Sequence, residues 1–126
     1  AMDRVLPQLP PGPVLVDFHA EATSEKFCLA WELDGRVSAV VGTHTHIQTA
    51  DERVFPRGTG YLTDAGMCGA FFSSLGVKPH QAARRFRTNL PARFENDPGP
   101  CRLSGVLLEI DDETFHTTAI QRINIE

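Results

Sequence analysis

Apolar residues along this chain fall into short blocks, each closed by turn residues, and the blocks predict a β-rich protein with a few helices. The run Pro13-Val14-Leu15-Val16 leading into Asp17-Phe18-His19 predicts a buried strand at 14–18. Ahead of it, Met2, Val5 and Leu6 form an apolar face that Pro7, Pro10, Pro11 and Pro13 close off, so the first eight residues read as the end of a helix. No cap or first turn precedes Ala1, which reads as a cut through a longer chain. A helix follows from Thr23, with a hydroxyl cap and early acid, and with Phe27, Leu29, Ala30, Trp31 and Leu33 as its apolar positions. Asp34-Gly35 ends it, Gly35 suiting a left-handed turn. A second apolar run at 37–41 completes a β-α-β unit with parallel strands.

Beyond residue 46 the pattern changes. Arg53 to Phe55 and Gly60 to Thr63 are short strand candidates around the turn Pro56-Arg57-Gly58. The segment from Gly66 to Gly76 is too punctuated by glycine for a long helix. Lys78-Pro79 opens a helix over about His80 to Asn89, which Pro91 stops. The tail is β in character: Ala92 to Glu95, a turn at 96–100, then 102–110 and 115–125, two runs alternating with period two that predict an antiparallel hairpin. The class is mixed α/β, with a partly parallel start and an antiparallel end.

Composition narrows this little. A chain of 126 residues is one domain at most, and a formal charge of −4 argues mildly against a surface that coats nucleic acid. No apolar stretch approaches membrane-spanning length, and the start lacks the basic and apolar regions of a secretory signal. Cys28, Cys68 and Cys101 are odd in number and share no CxxC spacing, which reads as reduced thiols and a cytoplasmic protein.

The candidate chemistry lies where the apolar strands break. Gly42-Thr43-His44-Thr45-His46 follows the second strand, and two histidines at i and i+2 at such a break can aim both imidazoles into one pocket. His19 ends the first strand and arrives beside them if the two strands are neighbours. Three neutral nitrogen ligands suit Zn, Mn or Fe better than Ca or Mg. Asp17 and Glu21 flank His19. A carboxylate there either fixes the tautomer of a ligating imidazole from behind or, for Glu21, stabilises the start of the next helix. Thr45, between the two histidines, is a further supporting candidate. Asp64, in Thr63-Asp64-Ala65-Gly66, reads as an Asx-turn, and Cys68, with no activating neighbour, as an inert thiol. His80 and His116 read as solvent-facing, and Arg84, Arg85 and Arg87 as a solvated helix face. Phe71 and Phe72 read equally as core residues or as the rim of a pocket or subunit contact. No Walker loop, GxGxxG turn or GxSxG elbow is present.

Three strings carry a resemblance: DFHAEATSEK at 17–26, LDGRVSAVVGTHTHIQTADERVFPRGTGYLTDAGM at 33–67 and LSGVLLEID at 103–111. Through them the chain resembles the calcineurin-like metallophosphoesterases, and among these the YmdB-like bacterial cyclic-nucleotide phosphodiesterases. The resemblance implies half of a four-layer α/β/β/α sandwich with a mixed sheet and a C-terminal antiparallel hairpin, residues 1–126 standing for the C-terminal half of the domain. It implies a dinuclear centre of two divalent ions, Mn or Fe foremost and Zn as an alternative, in which His19 and His44 bind one ion and His46 the other. The remaining ligands and a proton-donating histidine belong to the N-terminal half, so no catalytic residue is expected here. The implied substrate is a small phosphodiester such as 2′,3′-cyclic AMP. The implied partners are the missing half, with a homo-oligomer left open, and no membrane. Two alternatives stand beside this: a silent, dimerising module, and a mononuclear hydrolase using all three histidines with an open fourth position.

Overall fold

A computed structural model describes residues 1–126. Two sheets and a helical layer stack on one another. The first sheet holds β1 (Leu15–His19), β2 (Ala39–Thr43), β3 (Arg53–Val54) and β4 (Gly60–Leu62) in the order β1-β2-β4-β3. β1, β2 and β4 are parallel and β3 is antiparallel to β4, so the sheet is mixed. The second sheet is antiparallel and ordered β5 (Gly69–Ala70), β6 (Cys101–Ile110), β7 (Thr117–Ile125). The expected β-α-β unit and terminal hairpin are both present.

Helix α2 (Thr23–Glu32) connects β1 to β2 and covers one face of the first sheet. Ala30, Leu33, Val37, Val40, Phe55 and Tyr61 form the buried core there, with Met2 and Leu6 of the N-terminal segment packed at its margin. That segment is α1 (Met2–Val5) followed by a 3-10 turn at Leu6–Gln8. Val5 faces solvent rather than joining the expected apolar face. Nor do Phe27 and Trp31 bury fully: they stack at 6.4 Å and both lean edge-on against Phe55. The expected hydroxyl cap of α2 is absent, since Ala22 is the capping residue and no side chain caps the helix. Gly35 does turn left-handed, at φ +76°.

Side chains alternate across a strand, so Gly60 points away from Tyr61 and away from the helices. A Cβ at Gly60 would meet Thr117 and Leu108 at 3.1–3.2 Å, which shows how closely the second sheet rides on β4. Thr117 donates to the carbonyl of Ser38 and Arg122 pairs with Glu52, tying the hairpin down. His116 packs against Gly58 and is half-buried, contrary to its solvent-facing expectation. His80 is exposed as expected. The helix expected near residue 80 is α3 (Pro79–Thr88), closed by Asn89 in a left-handed conformation. No strand forms at 92–95; only an isolated bridge joins Val77 to Asn96. Prolines at 91, 98 and 100 remove donors on both sides of that stretch, which explains the loss.

No helix is long and apolar enough to cross a membrane. The three cysteines are free and exposed.

Candidate metal centre

Strands β1 and β2 run side by side in a register that sets His19 opposite Thr43, so both strand ends release their histidines at one edge. Gly42 lies inside β2, one residue before its end, and an added Cβ there would lie 1.9 Å from the carbonyl oxygen of Thr63. Only glycine allows that approach, and the N–H of Ala65 closes the contact by donating to the Gly42 carbonyl at 2.9 Å. His44 and His46 then take positive φ values of 132° and 65°, conformations that L-residues adopt at a cost. A backbone held in that region twice in three residues is over-determined by its surroundings.

The restraint comes from beneath the loop. Asp64 Oδ2 accepts the N–H of Thr45, between the two histidines, at 2.8 Å. The same oxygen pairs with Lys26 Nζ at 3.2 Å, with side-chain exposures of 1% for Lys26 and 0% for Asp64. Oδ1 accepts the N–H of Gly66, which is the expected Asx-turn. Burial pushes the Asp64 carboxyl up, but the N–H groups of Thr45 and Gly66, together with Lys26, outweigh it and hold the pKa below the ordinary value. Asp64 therefore does more than turn the chain: it anchors the loop.

His44 Nδ1 stands 3.1 Å from His19 Nε2, the rings edge-on with centroids 5.0 Å apart. His19 Nδ1 meets Thr43 Oγ1 at 3.1 Å, and that hydroxyl lies 3.2 Å from Asp17 Oδ1. A carboxylate only accepts, so the Thr43 proton goes to Asp17 and its oxygen accepts from His19 Nδ1–H. His19 is thereby fixed with its Nε2 lone pair turned toward His44. Asp17 acts on His19 through Thr43 rather than directly, a link that spacing did not reveal.

Thr45 is placed differently from a support for an imidazole. Its hydroxyl closes a turn with Ile47, donating to the carbonyl and accepting the N–H. Glu21 is exposed ahead of α2 and makes no side-chain hydrogen bond or ion pair. His46 is exposed and makes no hydrogen bond or ring contact with His19 or His44; it lines a neighbouring cavity with Met67, Phe71 and Arg102. No three His, Cys, Asp or Glu side chains converge closely enough to enclose an ion.

The donor set nonetheless fits a divalent ion at the pair. Two nitrogens bound to one ion at about 2.1 Å each are about 3.0–3.4 Å apart for angles between right and tetrahedral, which matches the 3.1 Å separation. Lys26, Thr43 and Gln48 are site residues beyond those expected. Lys26 had a signal, since it shares a helix stripe with Ala30 and Leu33 at spacings of four and three. Gln48 had none: its side-chain amide donates to the carbonyls of Gly105 (2.8 Å) and Ile123 (3.1 Å) and accepts from Asn124, bridging the loop to the hairpin.

A family model described as YmdB-like protein matches residues 1–123. The chain is 54% identical over 112 residues to a 2′,3′-cyclic-nucleotide 2′-phosphodiesterase of Bacillus subtilis, a match covering 89% of this chain and 42% of that protein. Two crystal structures share the fold. One is of a protein from Thermus thermophilus described as hypothetical, with TM-score 0.90 and 42% identity, covering 98% of this chain and 48% of that one. The other is of a novel phosphatase from Mycoplasma pneumoniae, with TM-score 0.91 and 38% identity, covering 98% and 44%. The chain thus spans less than half the length of each of these relatives.

Proposed function

The chain belongs to the YmdB-like protein family, and from that premise we propose that it supplies the histidine side of a metal-dependent phosphodiesterase site acting on cyclic nucleotides. The observation that carries the reading is the His19–His44 contact, with His19 held in one tautomer by Thr43 and Asp17. His19 and His44 would hold one divalent ion and His46 a second, Mn or Fe before Zn. Bound ions at such a site supply a nucleophile active at neutral pH and a counter-charge for the phosphoryl oxygens. His19 offers Nε2 as a lone pair and keeps its proton at Nδ1. The Asp64–Lys26 anchor would hold in place the loop that carries His44 and His46. The lack of any three-residue group that could hold one ion favours two ions over a mononuclear three-histidine site.

The remaining ligands and the proton donor would come from the rest of a longer protein. Leu15, Leu103, Leu107 and Ile125 are all exposed, on the first strand and the hairpin. Apolar strand positions left open in this way favour a further layer over them, consistent with a four-layer sandwich. The named activity of the Bacillus subtilis relative favours 2′,3′-cyclic nucleotides as substrates. Exposed free thiols are in keeping with a cytoplasmic location.

The test is hydrolysis of 2′,3′-cyclic AMP by the full-length protein with and without Mn, alongside His44→Ala. Turnover that needs the metal and falls to background in the variant is expected. Undiminished turnover in His44→Ala would remove the histidine pair from the chemistry.

A further inference from the structure

We propose that the cavity beside His46 is the subsite for the nucleobase of the substrate, an inference that rests on the phosphodiesterase reading. The cavity has a volume of about 180 Å³ and opens to solvent. It is contiguous with the candidate metal centre because His46 forms part of its wall. Met67 and Phe71 face it from the glycine-punctuated segment, and Arg102, Ser104 and Asn124 from the hairpin.

Its chemistry is that of a site for a flat heterocycle. The Arg102 guanidinium carbon lies 3.2 Å from the centroid of the Phe71 ring, so ring and guanidinium make a stacked platform. Guanidinium planes and aromatic rings are the surfaces on which unstacked bases are held. Met67 adds a polarisable thioether to the same wall. Two polar functions remain for the edge of a base. The Ser104 hydroxyl makes no hydrogen bond, and Asn124 gives its NH₂ to Gln48 and so keeps its carbonyl oxygen unpaired. A hydroxyl, which can donate or accept, and an amide acceptor match the mixed edge of a base. A phosphate would want donors only: the Asn124 oxygen would repel it, and the Arg102 charge is already paired with Glu126. With phosphorus at the histidines, an adjoining base site orients the ester and makes the nucleoside part of the recognition.

Two measurements test this. The first is titration of the protein with adenosine, which carries no phosphate, followed by NMR. The second is the ratio of kcat/KM for 2′,3′-cyclic AMP to that for bis(4-nitrophenyl) phosphate, which has no base. The wild type should bind adenosine saturably, and adenosine should compete with the cyclic nucleotide. Arg102→Leu should weaken adenosine binding and lower the ratio, each about tenfold, as losing one base-stacking contact does. Ser104→Ala, a change too small to disturb the fold, should lower both in the same sense. Absence of saturable adenosine binding to the folded protein would overturn the proposal. So would equal losses on the two substrates in both variants. A wild type that hydrolyses neither ester yet binds adenosine through Arg102 would remove the phosphodiesterase reading while supporting the cavity as a base site.

Discussion

Lys26 Nζ and Asp64 Oδ2 lie 3.2 Å apart with neither side chain open to water, and the same carboxylate oxygen takes the Thr45 N–H at 2.8 Å. The loop that carries His44 and His46 is therefore hung on a buried ion pair between α2 and the end of β4. Removing one member leaves the other charged and unpaired, which typically costs about 3–5 kcal/mol. Asp64→Ala should approach that loss in urea unfolding, because it strands both the Lys26 ammonium and the loop N–H groups. Lys26→Met should cost less, since Asp64 keeps its bonds to Thr45 and Gly66. Equal costs for the two variants would contradict this division of labour.

The same carboxylate gives the fold an acid limit. The folded-state pKa of Asp64 is depressed, so the unfolded chain binds the proton more readily. Its contribution is complete above the unfolded value of about 4 and is lost as pH falls through the lower folded value. Asp51 has a depressed pKa too: burial raises it, but hydrogen bonds from Thr49 and Thr63 prevail. Stability measured from pH 7 down to 3 should fall below about pH 4. Asp64→Asn should be less stable at pH 7 and show a shallower fall. A variant with the wild-type acid slope would exclude Asp64 as a source of it.

Thr43 links His19 to Asp17 and should matter to metal binding more than to folding. Supporting residues of this kind are worth about 10- to 100-fold in metal affinity. Thr43→Val should weaken Mn binding to that extent in a competition titration, while the unfolding midpoint moves little. Thr43→Ser, which retains the hydroxyl, should restore affinity. Affinity unchanged in the valine variant would show that the relay through Thr43 does not orient His19.

Gly42 tolerates no side chain. Its Cβ would fall 1.9 Å from the Thr63 carbonyl and 2.8 Å from Lys26 Cδ, and neither a backbone oxygen nor a buried stem can retreat far. Overpacking ordinarily costs about 1–3 kcal/mol, and a backbone collision lies at the top of that range or above. Gly42→Ala should unfold at clearly lower denaturant and lose the metal-binding response together with it. A folded, metal-binding Gly42→Ala protein would mean that the loop has slack.

Much of this was legible in the chain itself. Apolar blocks bounded by glycine and proline located β1, β2 and the hairpin, and the parallel pairing of β1 with β2 followed from the helix between them. That pairing brings His19 to His44, so a meeting of two histidines 25 positions apart could be read from topology. Other features could not, because they depend on what lies beneath the loop. Asp64 announces its turn with Gly66 by local spacing, but its bond to Thr45 and its pairing with Lys26 span 19 and 38 residues. The expected strand at 92–95 fails for a related reason: its alternation is correct, but the neighbouring prolines leave it no partner. His46 shows the limit most clearly. Its two-residue spacing from His44 gives no sign of the positive φ it takes or of the adjoining cavity it lines.

Gln48 adds a direct link between the histidine loop and the hairpin to the ties made by Thr117 and Arg122. Its amide holds the backbone of both hairpin strands at Gly105 and Ile123, and it lies two residues after His46. Movement of the hairpin should therefore reach the histidine loop, and occupancy of the loop should reach the hairpin. Amide protons of the hairpin beside Gln48 should exchange with solvent more slowly when the histidines are liganded, though they lie outside the ligand set. The loop and the hairpin would then open as a single cooperative unit.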